Sequence, residues 1–159
     1  PAREEDFEAM PFVGEEGELL ERMLRSIGIP MKRTYMLHLV KCWNRSVRQP
    51  KQTETEACSY YWLQQLEAIQ PDFIVSFGTF AAKVLLNVPL QESQGLREKY
   101  IGKWFPVTLP GEGKTIQLLT MHDLGFVLRH PEHKKGAWHA LRSLKERLHY
   151  SSKSVQKGD

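Results

Sequence analysis

The segment Phe73-Ile74-Val75-Ser76-Phe77-Gly78-Thr79 decides the fold, because a short apolar run ends there in a glycine turn. Its first five residues are rich in β-branched and aromatic side chains, which is typical of a strand buried on both faces. Gly78 and Thr79 then lead into a short apolar helix that ends near Asn87. A strand that runs directly into a helix is the building unit of α/β folds.

Helices and strands alternate on both sides of this segment. Apolar side chains at helical spacing, followed by Gly28 and Pro30, predict the first helix. Thr53 and Glu56 predict a capping box at the start of the next one. We predict strands at 35–41, 104–109 and 116–120, helices at 15–27, 53–70 and 134–148, a turn at 110–113, and loops at 1–10, 43–52, 88–103 and 122–131. The fold class is therefore α/β, with a mostly parallel sheet.

Polar residues collect directly after three of the predicted strands, at 41–48, 78–79 and 122–129. Parallel sheets bind their ligands in the crevice at the carboxyl ends of the strands. We therefore predict that these three segments meet and form the functional site.

Length and charge describe one domain with an uneven surface. A chain of 159 residues is long enough for one domain with a proper core. Residues 1–21 carry eight acidic side chains and one basic one, whereas residues 129–159 carry eight basic and three acidic ones. This asymmetry suits either an anionic partner at the basic end or a solvated amphipathic helix. We predict one domain at 1–148 and a flexible polar tail at 149–159.

Composition also limits the cellular setting. No apolar run approaches the roughly 18 residues that a membrane span needs, and the acidic start is unlike a signal peptide. Two cysteines exclude a disulfide framework. We expect a cytoplasmic monomer that does not associate with membranes.

Several short motifs occur in a familiar order along the chain. Pro11-Phe12-Val13-Gly14 precedes a helix, Lys41-Cys42 ends a predicted strand, and Glu56-Ala57-Cys58 begins a helix. His122 follows another strand, and Leu128-Arg129 comes a few residues later. In this order and spacing the chain resembles the uracil-DNA glycosylase superfamily, in its iron–sulfur (family 4) branch, over residues 1–148.

The resemblance implies a fold and an activity. The fold would be a three-layer α/β/α sandwich that lacks its first strand, because the family's first motif would end at Ala2. The activity would be DNA repair: such enzymes flip a deaminated base, uracil or a similar one, out of DNA and hydrolyse its N-glycosidic bond. Flipping is necessary because the bond is shielded inside the duplex. The implied partner is DNA.

The resemblance also assigns roles to residues. Phe12 would stack on the flipped base, with an ordinary core residue as the alternative. His122 would stabilise the charge that develops on the leaving base. Glu5 would position water or stabilise the sugar cation, although Glu4 and Asp6 are equally available. His38 would face the base, and the DNA contacts would be Lys41, Arg48, Gly78, Thr79 and Arg129.

Three departures from the family pattern leave a second function open. His38 stands where the family has asparagine, and an imidazole cannot donate and accept along a single edge of uracil as an amide does. Asp123 replaces a proline after His122, and the loop to Arg129 is one residue longer. The alternative is therefore a catalytically degenerate family member that binds nucleic acid or protein.

The cofactor of the family is in question for the same reason. The family holds four irons with four cysteines, whereas this chain has only Cys42 and Cys58. No cofactor can be demonstrated in this chain, no small-molecule cofactor is expected, and a 4Fe-4S cluster requires two further cysteines upstream. The segment 111–115 is similar to part of a phosphate-binding P-loop, but the first glycine of that motif would fall at Thr108. The histidines show no compact metal-ligand spacing.

Overall fold

The computed structural model describes residues 1–44, 48–91, 96–109 and 113–155. The helices are α1 (Arg3–Glu8), α2 (Gly14–Ser26), α3 (Gln52–Ile69), α4 (Gly78–Leu85), α5 (Leu96–Tyr100), α6 (Leu124–Arg129) and α7 (Lys134–Val155). The strands are β1 (Phe73–Phe77), β2 (Trp104–Thr108) and β3 (Thr115–Met121). Single turns of 3-10 helix lie at Met31–Arg33 and Pro131–His133. None of the helices in these ranges combines the length and the apolar character that a membrane crossing requires.

The described strands form a mixed sheet in the order β1-β3-β2. β1 runs parallel to β3, whereas β2 runs antiparallel to it. The α/β class is confirmed, but the expectation of a mostly parallel sheet is wrong for these strands. The cause lies in the connection: the six residues between β2 and β3 allow only antiparallel neighbours, since a parallel crossover takes about a dozen or more.

Both faces of the sheet are apolar, as the composition of β1 predicts. On one face Leu119 and Met121 of β3 pack against Ala137, Leu141 and the rest of one apolar side of α7. On the opposite face lies a second cluster, whose buried members are Leu39, Trp62, Leu66, Val107, Leu109, Ile116 and Leu118. Alternate β3 residues thus point to opposite sides, and the two clusters fix the sheet between α7 and α3.

The predicted strand at 35–41 is wrong, although its alternation is real. Residues 34–38 have no regular secondary structure, and no strand of the described chain pairs with them. Leu37 and Leu39 pack into the cluster around Trp62, while His38 between them points to the opposite side and meets Phe12. Side chains therefore alternate between two sides here although no neighbouring strand forms hydrogen bonds with the segment. The alternation alone cannot predict that a partner strand exists.

Three predicted loops contain helices, and the one at 88–103 contains α5. Residues 1–10 include α1, whose three acidic residues lie in its first turn, where the helix dipole favours negative charge. The predicted loop at 122–131 includes α6, because the Asp123 carboxylate accepts a hydrogen bond of 3.0 Å from the Phe126 N–H and caps the helix. The residue that breaks the family's proline pattern is thus a helix cap.

The start of α3 and the end of α7 also differ from the prediction. α3 begins at Gln52, and its N-cap is Lys51, whose N–H donates a hydrogen bond of 2.7 Å to the Glu54 carboxylate in the first turn. The predicted capping box of Thr53 and Glu56 is therefore wrong. α7 continues past Leu148 to Val155, since residues 149–155 contain no glycine or proline. Residues 110–112 of the predicted turn at 110–113, which include the first two residues of the P-loop-like segment at 111–115, and residues 156–159 lie outside the described residues.

Candidate functional site

The carboxyl ends of β1 and β3 lie side by side, as predicted for a ligand-binding edge. Phe77 and Met121 are register partners at the ends of these parallel strands. The segments that follow them therefore come together: a Cβ built on Gly78 would lie 3.6 Å from Asp123 Cβ. Gly78 has a φ of +84°, which glycine adopts without strain. Two of the three predicted segments thus meet at one edge.

Phe12 is held in an unusual backbone conformation beside this edge. Its φ is +58°, which is uncommon for a large side chain and indicates a conformation that the surroundings impose. Its N–H donates a hydrogen bond of 2.7 Å to Glu5 Oε1. Its ring contacts Phe77 edge to face, with ring centroids 5.8 Å apart, so β1 supports it directly.

Gly17 makes room for this turn. A Cβ at Gly17 would lie only 1.8 Å from the Phe12 carbonyl oxygen, a distance that no side chain tolerates. The carbonyl belongs to the backbone of the strained residue, so it cannot move aside without shifting the Phe12 ring. The glycine is therefore required by the close approach of the 11–13 turn to the second turn of α2.

We expect Gly17→Ala to destabilise the fold by about 3 kcal/mol or more, because overpacking against backbone forces a shift of the turn. In an exposed helix the same change normally stabilises by roughly 1 kcal/mol. Gly136→Ala in α7 is the matched control, since a Cβ there meets nothing within 4 Å. Urea unfolding of both variants measures the difference, and equal effects would show that the Phe12 carbonyl yields freely.

Glu5 is the acidic residue of α1 that faces this cluster. Its side chain is only 10% exposed, and Oε2 accepts a hydrogen bond of 2.6 Å from the Ala2 N–H. Burial by itself raises the pKa of Glu5, but the hydrogen bond from Ala2, the nearby His38 and the hydrogen bond from Phe12 outweigh it, and the pKa is lowered. Glu4 and Asp6 are exposed, and Asp6 accepts from the Trp43 N–H instead.

His38 lies between these two residues. Its ring stacks on the Phe12 ring, with centroids 5.4 Å apart and planes inclined by 27°. Its Nε2 lies 3.1 Å from Glu5 Oε1, at ion-pair distance but without the alignment of a regular hydrogen bond. Burial lowers the pKa of His38 despite the attraction of Glu5, so the imidazole is mostly neutral at neutral pH. Phe12, His38 and Glu5 form one cluster.

His122 is positioned by aromatic neighbours that the sequence analysis missed. Its half-buried ring stacks on the Phe126 ring, with centroids 5.1 Å apart. It also meets the His133 ring edge to face, with centroids 4.7 Å apart. The His130 ring lies against Phe126 as well, at 4.4 Å. The signal was available in the sequence, because residues 122, 126 and 130 recur at the i, i+4 spacing of one helical face. In the described part of the chain no metal-ligand group of three His, Cys, Asp or Glu side chains exists.

Glu16 of α2 is a further residue of the site that the sequence analysis did not predict. A Cβ built on Gly125 would lie 2.5 Å from Glu16 Oε1, 3.2 Å from Arg129 Nη1 and 3.3 Å from Asp123 Oδ1. The side chains of Glu16, Asp123 and Arg129 therefore converge over the first turn of α6. Burial and the nearby carboxylates of Asp123 and Glu5 raise the pKa of Glu16, while Arg129 opposes the rise.

Lys41 and Arg48 form hydrogen bonds with side chains of α3. Lys41 Nζ donates a hydrogen bond of 2.7 Å to Gln65 Oε1, and burial lowers the pKa of this lysine. Arg48 binds both carboxylate oxygens of Glu54, at 2.7 and 2.9 Å, and the pKa of Glu54 falls to about 2. Thr79 lies half-buried in the first turn of α4.

The two cysteines do not make a complete cluster site. Cys42 is exposed, whereas Cys58 is partly buried and its sulfur accepts a hydrogen bond of 3.5 Å from the Lys41 N–H. The two thiols thus lie on neighbouring segments, the 41–44 stretch and α3. A four-iron cluster needs four thiolates, so the residues of this chain alone do not fit one.

The sequence is similar to known proteins over most of its length. A family model described as the uracil DNA glycosylase superfamily matches residues 1–146. The chain is similar to the type-4 uracil-DNA glycosylase of Archaeoglobus fulgidus, with 37% identity over 133 residues that cover 83% of this chain and 65% of that protein. The enzyme of the same name from Saccharolobus solfataricus is 31% identical over 156 residues, which cover 98% of this chain and 70% of that protein. The one from Thermotoga maritima is 42% identical over 87 residues, 55% of this chain and 45% of that protein. The chain thus spans between 45% and 70% of the length of these relatives.

Proposed function

This chain belongs to the uracil-DNA glycosylase superfamily, and from that premise we propose that it is a DNA repair N-glycosylase that releases uracil or a similar deaminated base. The observation that carries the proposal is the cluster of Phe12, His38 and Glu5 at the carboxyl edge of the sheet. A flat apolar ring beside an ionised carboxylate provides the two surfaces that glycosidic hydrolysis needs. One surface takes the base, and the other faces the positive charge of the sugar.

The chain's own residues supply the following steps. A base that leaves the duplex stacks on Phe12. The bond between the base and C1′ breaks, and its electron pair moves to the base, where His122 stabilises the charge with a hydrogen bond. Glu5, ionised because its pKa is lowered, stabilises the oxocarbenium-like sugar and orients the water that attacks C1′. Arg129, at the end of α6, and the turn at Gly78 and Thr79 contact the DNA backbone.

A specific observation favours the alternative function. The His38 ring covers a face of Phe12, and the side chains of Lys41 and Arg48 form hydrogen bonds with Gln65 and Glu54 of α3. A family member that has lost the chemistry and only binds nucleic acid or protein would tolerate such features. This second candidate differs from the first in a single measurable property, the release of a free base.

The same proposal extends to the layers of the fold, the iron–sulfur cluster, the cellular location and the oligomeric state. We propose a three-layer α/β/α sandwich, supported by the apolar clusters on both faces of the sheet. An iron–sulfur cluster is expected only in a protein that supplies two thiolates besides Cys42 and Cys58; the cluster would then tie the two segments together. We further propose that the protein works in the cytoplasm as a monomer.

Base release from labelled oligonucleotides tests the proposed function. One oligonucleotide carries a single uracil, two others carry hypoxanthine or xanthine at the same position, and a fourth carries thymine as the control. Release from at least one deaminated substrate and none from thymine is the expected result. DNA binding without release from any substrate would establish the binding module instead.

The exposed side of α7 is a candidate surface for the DNA backbone. Trp138 is 42% exposed on this helix. Four basic residues lie on the same side at helical spacing, Lys134, Lys135, Arg142 and Lys145, all of them exposed. The helix begins directly after His133, which contacts His122, so this basic stripe starts beside the proposed site. Lysine and arginine in such a row neutralise phosphates, and their binding is sensitive to salt.

We expect the double change Arg142→Gln and Lys145→Gln to flatten the plot of log affinity for DNA against log salt, by about 0.9 for each phosphate that the variant no longer neutralises. The matched control is Arg22→Gln with Arg25→Gln on α2, which removes the same net charge at positions that pair with Glu18 and Glu21. An equal change of slope in both double variants would assign the effect to net charge and remove α7 from the interface.

A further inference from the structure

The stacking face of Phe12 is already occupied by a ring of this chain. His38 lies on it with a centroid separation of 5.4 Å and an inclination of 27°, which is the geometry of an offset aromatic stack. An imidazole is a flat ring with polar nitrogens at its edge, and a pyrimidine base shares these properties. The contact between His38 and Phe12 is therefore the contact that an incoming base would make.

The backbone that carries His38 is fixed, whereas its side chain is partly accessible to solvent. Leu37 and Leu39 on either side pack into the cluster around Trp62, so the chain at 37–39 cannot move without disrupting the core. The His38 side chain is 26% exposed, and its nitrogen meets Glu5 Oε1 at 3.1 Å without the alignment of a hydrogen bond. A rotation of the side chain alone would uncover Phe12.

This placement argues against a simple recognition role. A residue that reads the edge of a base must lie beside the base, in the plane of its ring. His38 lies on the face of Phe12, in the volume that the base itself requires. Recognition by His38 would thus need the same rotation that opens the face.

We propose that His38 is a gate: its ring occupies the base position on Phe12 in the free protein, and a flipped base enters only when the imidazole turns away. The proposal rests on the proposed function, because it takes Phe12 as the stacking platform. When only a fraction of molecules is open, the apparent affinity is reduced by that fraction. A minor open state of roughly 0.1–10% is ordinary for such equilibria. His38 also makes entry selective, since only a base that stacks better than the imidazole displaces it.

Binding without chemistry tests the gate. The probe is an oligonucleotide whose deoxyuridine carries a fluorinated sugar, so that the base is bound but not released; a matched thymidine oligonucleotide reports DNA affinity alone. We expect His38→Ala to bind the uracil probe about tenfold tighter or more, and the thymidine probe unchanged. Gln64→Ala, a change of an exposed side chain on α3, is the control and should alter neither affinity.

A spectroscopic readout on the unaltered chain follows the ring itself. In the stack, the His38 ring protons lie over Phe12, and the ring current shifts their NMR signals upfield. Addition of the uracil probe should move these signals toward their free positions, and the thymidine probe should leave them in place. Phe12→Leu should abolish the upfield shift in the absence of DNA, which assigns the signals.

The outcomes separate the gate from the function on which it rests. Equal preference for the uracil probe in the unaltered chain and in His38→Ala would overturn the gate and keep the glycosylase. Weaker uracil binding by His38→Ala would also overturn it, because His38 would then be a recognition residue. No preference for uracil in either protein would overturn both proposals, since no base would enter on Phe12.

Discussion

His122→Ala is expected to lower the rate of base release by about 10²–10³-fold while DNA affinity stays nearly unchanged. The reason is that a donor placed where negative charge develops acts on the transition state and contributes little to binding of the ground state. The position suits the role, because His122 directly follows Met121 at the carboxyl end of β3, and Phe126 and His133 hold its ring on two sides. Single-turnover release from the uracil oligonucleotide, measured beside the equilibrium affinity, checks both parts.

Neighbouring histidines provide the controls for this experiment. His130→Ala removes a ring that also contacts Phe126 but pairs with Glu132 at the surface, and it should change the rate less than threefold or so. Phe126→Leu keeps His122 but removes its stacking partner, so we expect an intermediate loss of rate. If His122→Ala releases uracil as fast as the unaltered chain, His122 has no part in the reaction, and another donor must stabilise the leaving base.

Local patterns in the sequence predicted the elements that local physics determines. β1 and α2 were placed within a residue or two, because a buried apolar run and a helical stripe are properties of the segment itself. The strand at 35–41 was wrong for the opposite reason. Its side chains alternate as a strand requires, but a ladder needs a partner that the segment cannot specify. The cap formed by Asp123 was missed because the residue was interpreted as an altered catalytic motif.

The residue types of the site were predictable, whereas their mutual positions were not. Nothing in the sequence separates Glu5 from Glu4 or Asp6, since all three lie in one acidic turn; only the fold buries Glu5 and leaves the others exposed. The positive φ of Phe12 depends on a hydrogen bond to Glu5 and on the space that Gly17 leaves. The stack of His38 on Phe12 joins segments 26 residues apart. Such contacts arise from tertiary packing, which periodicity does not encode.

Glu5→Gln is expected to lower base release by at least about 100-fold and to destabilise the fold by roughly 1–3 kcal/mol. The carboxylate accepts the N–H groups of both Ala2 and Phe12, one on each oxygen. An amide has only one acceptor oxygen, so its NH₂ group would face one of these donors and leave it unpaired. The turn that holds Phe12 would loosen, and the negative charge opposite the sugar would be lost. Glu4→Gln, at an exposed neighbouring position, is the matched control and should change neither quantity.

The pH dependence of stability distinguishes this role of Glu5 from a general loss of packing. The folded-state pKa of Glu5 is lowered, so its ionised form contributes stability that is fully present above the unfolded-state pKa of about 4.3 and is lost as pH falls through the folded value. The difference in unfolding free energy between the unaltered chain and Glu5→Gln should therefore be constant from about pH 6 to 8 and shrink below about pH 4. A packing defect alone would be the same at every pH. A constant difference down to acid would thus show that the charge of Glu5 does not stabilise the Phe12 turn.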